Sequence, residues 1–160
     1  MASEPSVDVV LAQLKAAQVT IPPGRVRIDR YGDSEALCEE LLALIRSGRK
    51  RAGTSLLWGV VADGEELPRV GDIEVVLNFR DEPVLITRVV ETEVVPYSSV
   101  TARYATIEGE GDGSLSYWRQ GHWAFFSREC ARIGRQPSEN MPVVCSVFEL
   151  LCEVPGRRIT

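Results

Sequence analysis

The sequence predicts an α+β domain, a small curled sheet or barrel with helices before and between its strands. Three observations predict it. Two apolar stripes at helical spacing lie in the first third of the chain. Three β-branched runs follow, over 73–79, 84–95 and 141–154, the first two joined by a hairpin-type connection. No internal repeat or linker divides the 160 residues, a length that suits one domain with a real core.

Composition narrows the function classes. A net charge of −5 argues against a general nucleic-acid coat, which needs a strongly basic face, while leaving room for a local basic cleft. The four cysteines, Cys38, Cys130, Cys145 and Cys152, form no C-x-x-C pair, and three lie in apolar runs. They read as reduced, mostly buried thiols of a cytoplasmic protein. No apolar run reaches the roughly 18 residues of a membrane span. The start, Met1 to Pro5, is acidic and gives no sign of a signal peptide.

Taken in order, Val7, Val10, Leu11 and Leu14 predict an amphipathic helix over Pro5–Gln18, which the break Ile21-Pro22-Pro23-Gly24 ends. Val26 to Asp29 alternates as a short strand. Asp33 or Ser34 can cap the next helix, whose stripe is Leu37, Cys38, Leu41, Leu44 and Ile45, and which Ser47-Gly48 terminates. The densest basic cluster follows, Arg49-Lys50-Arg51, leading into Ala52-Gly53-Thr54-Ser55. It reads either as a solvated helix end or as an anion contact, where small residues let a ligand approach the backbone.

Ile73 to Phe79 is a strand with Ile73, Val75, Leu77 and Phe79 on one face and Glu74, Val76 and Asn78 on the other. Val84 to Val95 is the next, closed by Pro96. Ser98-Ser99 is expected to cap a short helix through Val100, Tyr104 and Ile107. Glu108-Gly109-Glu110-Gly111-Asp112 then alternates acids with glycines, a composition that predicts a loop, either a solvated acidic turn or a pocket wall. Ser114 to Gly134 is a helix with Leu115, Trp118, His122, Phe125, Phe126 and Ile133 near one face, and Arg119, Arg128, Arg132 and Arg135 make it basic. Met141 to Val154 is the final strand.

Several of these residues could carry chemistry. Glu108, Glu110 and Asp112 suit general acid–base work or oxygen ligation of Mg²⁺, the one cofactor the sequence suggests. Lys50 is a surface lysine or, if desolvated beside a carboxylate, an activating or phosphate-fixing group. His122 is the only histidine, and without partners at zinc spacing it reads as a structural residue or a lone acid–base group. Trp118, Trp123, Phe125 and Phe126 are core or a stacking surface for a base. Ser127 is a nucleophile candidate with no obvious base. No Walker A or Rossmann fingerprint is present.

Gly48-Arg49-Lys50-Arg51-Ala52, Ser55 to Trp58, Leu67-Pro68-Arg69-Val70-Gly71-Asp72, Glu108 to Leu115, Tyr117-Trp118-Arg119, His122, Phe125-Phe126 and Met141 to Cys145, in this order and spacing, resemble an ASCH domain of the PUA-like superfamily. The resemblance runs from about Tyr31 to Val154. It implies a β-barrel flanked by helices, with a cleft between barrel and helices. It divides the chain into an N-terminal helical extension, 1–24, which either packs as an extra helix or mediates self-association, and an ASCH domain, 25–160.

The resemblance also implies function. PUA-like domains are mostly readers of RNA or modified nucleotides, and some ASCH proteins are associated with ribonuclease activity. On that reading the cleft binds RNA or a small nucleotide, with metal-assisted cleavage as its catalytic form. Arg49, Arg51, Ser55, Glu110, Asp112, Trp118, Arg119, His122 and Ser127 would contact the ligand. The alternative is the amidohydrolase branch, which acts on acetylated cytidine through a glycine–x–lysine–x–x–threonine motif and a later glutamate. Gly48, Lys50 and Glu108 match that pattern. Gly53 stands at the threonine position, with Thr54 one residue later, so the catalytic set carried over is Lys50, Thr54 and Glu108. On an extended backbone a shift of one residue turns a side chain to the other face. No membrane partner is expected.

Overall fold

The computed structural model describes residues 4–156; the tips of the two sequence segments, 1–3 and 157–160, lie outside it. A five-stranded sheet forms the centre, in the order β1-β3-β4-β5-β2. Its strands are β1 (Val26–Arg30), β2 (Ala52–Leu56), β3 (Ile73–Leu77), β4 (Pro83–Pro96) and β5 (Pro142–Glu153). β1 runs parallel to β3, and the other pairings are antiparallel. β4 and β5 share the longest ladder, from Leu85↔Glu153 to Pro96↔Pro142, with register shifts at Ile86/Thr87 and Val89/Glu91. Such irregularities bend a strand and increase its twist. The sheet curls into a half-barrel.

Among the described residues, five α-helices cover it: α1 (Val7–Ala16), α2 (Glu35–Ser47), α3 (Leu57–Ala62), α4 (Ala102–Glu108) and α5 (Leu115–Arg132). The alternation of β3 explains its two cores. Ile73, Val75 and Leu77 meet Val10 and Leu14 of α1 on one face. Val76, with Leu85 and Phe148, meets Cys38, Leu42 and Ile45 of α2 on the other. A third cluster joins Trp118, Phe126 and Cys130 of α5 to Leu56, Tyr97, Met141 and Val143. The four cysteines are free thiols. Among the described residues no helix is long and apolar enough to cross a membrane.

Most predicted elements appear within a few residues of their expected ends. α1 starts after Ser6, whose hydroxyl accepts from the Val9 amide, rather than at Pro5. Ser34 caps α2 and Ser114 caps α5. The cap of α4 is Thr101, not Ser98 or Ser99, which lie in a short 3-10 turn over Tyr97–Ser99. Residues 52–56 are strand β2, paired with Val143–Val147 of β5. Glu108 is the last residue of α4 rather than part of a loop. The turn begins at Gly109, whose left-handed φ of 72° ends the helix.

Candidate functional site

Lys50 is brought inward by the end of α2. Gly48 adopts φ 90° and returns its amide to the Ile45 carbonyl, while the amides of Arg49 and Lys50 both reach the Leu44 carbonyl. Arg51 donates to the carbonyls of Ile45 at 3.0 Å and Lys50 at 3.1 Å. A cation there offsets the partial negative charge of a helix C-terminus. Arg49 donates to the Gly111 carbonyl. The two arginines therefore tie the turn down, and Lys50 between them points into the protein with 1% of its surface exposed. Its Nζ donates to the Ala52 carbonyl at 2.6 Å, and lies 3.4 Å from Glu108 Oε2 and 3.2 Å from Glu110 Oε2.

Glu108 is equally buried, at 1% exposed. The backbone is crowded where it enters: a Cβ on Gly109 would lie 2.2 Å from the Arg49 carbonyl oxygen. Only glycine allows the Lys50 turn and the end of α4 to approach this closely. Trp118 Nε1 donates to Glu108 Oε1, and His122 Nε2 lies 3.1 Å from the same oxygen. Burial alone would raise the Glu108 pKa. The Lys50 charge, then the His122 charge and hydrogen bond, outweigh it and hold the carboxyl at about 2.

His122 has a carboxylate at Nε2 and the Trp118 carbonyl 2.9 Å from Nδ1. Both neighbours accept, so both ring nitrogens must carry hydrogen for both bonds to form. Burial opposes that charge, but Glu108 overcomes it and the His122 pKa is raised above 6.5. The imidazole ring stacks on Trp118, with centroids 4.1 Å apart.

Strand alternation resolves the one-residue displacement of the threonine. Gly53 faces Tyr31, where a Cβ would meet ring carbon Cε1 at 3.2 Å. Thr54 faces α4. Its hydroxyl donates to Glu108, 2.9 Å from Oε1 and 3.2 Å from Oε2, and lies 3.0 Å from the Tyr104 hydroxyl. Tyr104 in turn donates to the Gly53 carbonyl at 2.8 Å. The Tyr104 proton is thus committed to the strand, and the Thr54 proton is left for Glu108. Lys50, Thr54 and Glu108 meet on one carboxylate.

The other predicted residues divide. Glu110, Trp118 and His122 join this cluster. Trp118 does so from the core, at 2% exposed, with its indole face against His122. Ser55 is exposed on the cavity wall. Asp112 is exposed and accepts from the Ser114 amide at 2.9 Å. Arg119 is exposed, and its carbonyl accepts from Tyr97. Arg49, Arg51, Asp112, Arg119 and Ser127 do not line the cavity. Glu108, Glu110 and His122 offer ligand atoms within 4.8 Å of one another. That set suits Mg²⁺ poorly: it includes a nitrogen, whereas Mg²⁺ prefers oxygen. The Lys50 ammonium also already lies against both carboxylates.

The cluster opens on a cavity of about 920 Å³, within the range of small-molecule sites. Sequence reasoning missed much of its wall. The sequence marks Tyr104 only as part of a short helix and gives Tyr31 no site role. Arg27, Asp29 and Glu74 also line it. The available signal was a charged residue inside each of two short strands, Asp29 and Glu74, where side chains on a packed sheet are usually apolar.

The match to known proteins follows this architecture. A family model described as the ASCH domain matches residues 27–152. The chain is similar to the crystal structure of an ASCH domain from Lactobacillus crispatus JV V101, at 30% identity and TM-score 0.77, over 89% of this chain and 92% of that one. It is similar to a protein from Enterococcus faecalis V583 at 28% identity and TM-score 0.76, over 93% of this chain and 90% of that one. A hypothetical protein at 16% identity and TM-score 0.52, covering 80% of this chain and 100% of its own, shares the fold alone. No curated protein matches.

Proposed function

The chain belongs to the ASCH domain family, and we propose that it is an amidohydrolase that removes the acyl group from an acylated nucleoside of the acetylcytidine kind. The observation that carries this reading is the 2.9 Å bond from the Thr54 hydroxyl to a carboxylate that Lys50 also contacts. A nucleophile, its proton acceptor and a cation against that acceptor are parts that acyl transfer uses.

In the proposed reaction Thr54 Oγ attacks the acyl carbon and its proton passes to Glu108. A carboxyl held at about 2 is a weak resting base, but it surrenders a proton readily. Glu108 hands that proton to the leaving nitrogen as the C–N bond breaks. Lys50 supports the negative charge that forms at the acyl oxygen. Water then hydrolyses the Thr54 ester, which restores the hydroxyl and releases the carboxylic acid.

The cavity wall supports a small neutral ligand over a phosphate chain. Among the described residues, each lysine or arginine lining it is already ion-paired: Arg27 with Glu74, Arg30 with Asp81, Lys50 with Glu108 and Glu110, and Arg128 with Asp33. A polyanion is bound by cations with charge to spare. A second reading, a domain that binds a modified nucleoside without cutting it, is favoured by one observation. Among the described residues, Lys50 contacts Thr54 only through Glu108.

Acetylcytidine hydrolysis followed by chromatography, beside single-stranded RNA with and without Mg²⁺, separates these readings. We expect cytidine and acetate from the wild type and none from Thr54→Ala or Lys50→Ala. RNA cleavage without deacetylation would overturn the proposal. Tight binding of acetylcytidine with no turnover would support the second reading.

A further inference from the structure

The cavity holds a second polar centre that the proposed reaction does not use. Asp29 on β1 and Glu74 on β3 both line it, and they are diagonal neighbours on one sheet face: Glu74 pairs with Arg27, two residues before Asp29. Arg27 Nη1 donates to Glu74 Oε2 at 3.0 Å, and Tyr31 follows Asp29 by two residues. Tyr31 also separates this centre from the reactive cluster: Lys50 Nζ lies 5.3 Å from the centre of its ring. Both centres line one continuous cavity.

Two neighbouring carboxyls beside one arginine ionise together only at a cost, so the pair keeps one proton between them. Burial, followed by the neighbouring acid, raises Glu74, and burial raises Asp29. With one shared proton the pair carries a single negative charge, which Arg27 balances. The centre is close to neutral, yet it offers both an O–H donor and several acceptor oxygens.

An independent observation points to a polar occupant. The Ser146 hydroxyl, in a residue of the cavity wall, is buried and has no hydrogen-bond partner among the described residues. Buried hydroxyls are normally satisfied, and those left over mark a place where water or ligand belongs.

We propose that Asp29 and Glu74 form a second subsite that takes the vicinal hydroxyls of the ligand's pentose, so that the protein holds a ribonucleoside rather than a free base. This rests on the acylated-nucleoside reading of the same cavity. One carboxylate accepts from both hydroxyls of a diol, and the protonated partner donates back to a sugar oxygen. Neither bond requires a charged ligand, and a phosphate placed here would meet carboxylate oxygens.

The test is calorimetric binding of cytidine, deoxycytidine and cytosine to the wild type, Asp29→Asn and Glu74→Gln, with acetylcytidine turnover measured on the same samples. The wild type is expected to bind cytidine about tenfold more tightly than either analogue. Either substitution should reduce that ratio to about threefold or less. The wild-type ratio needs no variant, so a variant that fails to fold does not blunt the test. Turnover with equal affinity for the three ligands overturns the subsite and leaves the hydrolase reading standing. A cytidine preference without turnover keeps the subsite and removes the hydrolase. Absence of both overturns both.

Discussion

Thr54 donates its hydroxyl to Glu108 at 2.9 Å, and this bond joins strand β2 to helix α4 at the cavity wall. The Tyr104 hydroxyl, 3.0 Å away, holds the same side chain from the other side. If Thr54 is the nucleophile, Thr54→Val, which keeps the shape and removes the hydroxyl, lowers kcat by about 100-fold or more. Thr54→Ser retains measurable turnover. Steady-state kinetics on acetylcytidine checks both, and equal kcat in the wild type and the valine variant would remove the assignment.

Glu108 also has a structural role. Its removal leaves Lys50 buried with only Glu110, itself partly exposed, as a carboxylate partner. Breaking one side of a buried ion pair costs about 3 kcal/mol or more. Glu108→Gln should therefore lower the urea unfolding free energy by about that amount, and Glu110→Gln by clearly less. Equal losses in the two variants would mean that the Lys50–Glu108 contact is not the dominant one.

The pH dependence follows from two opposite shifts. The Glu108 pKa is depressed, so its stabilisation is present above 4.5 and is lost as pH falls toward about 2. The His122 pKa is raised, so its stabilisation is full below 6.5 and is lost as pH rises through the folded value. The Tm difference between the wild type and His122→Gln should be largest between about pH 4.5 and 6.5 and shrink at higher pH. A difference that grows with pH would place His122 neutral in the folded protein.

Gly109 is the geometric condition for the cluster. A Cβ there would lie 2.2 Å from the Arg49 carbonyl, at φ 72°. Gly109→Ala is expected to destabilise by about 2 kcal/mol or more, because backbone, not a flexible side chain, must move. Turnover should fall with it, since the Arg49–Lys50 turn and Glu108 are displaced together. A variant with wild-type Tm would show that the two segments have room for a side chain at this position.

The elements with strong periodicity were legible in the sequence. α2 has a five-residue apolar stripe, a Ser34 cap and a Gly48 stop, and the ladder strands β4 and β5 are long and β-branched. Strand β2 was not legible. Ala52-Gly53-Thr54-Ser55 has no apolar alternation, and it is a strand because β5 provides a partner edge. Lys50 and Glu108 were legible as chemistry through their neighbours, but not their burial, which depends on Gly48 and Gly109 turning two distant segments against each other. Asp29 and Glu74 lie in different strands, and only the parallel pairing of β1 with β3 brings them together.

The most direct measurement is peptide mapping by mass spectrometry after acetylcytidine is mixed with the protein and quenched in acid. An acetyl ester is expected on the peptide that carries Thr54, transient in the wild type and missing from Thr54→Ala. Rapid deacetylation by Thr54→Ala, or an acetyl group carried by another residue, would contradict it.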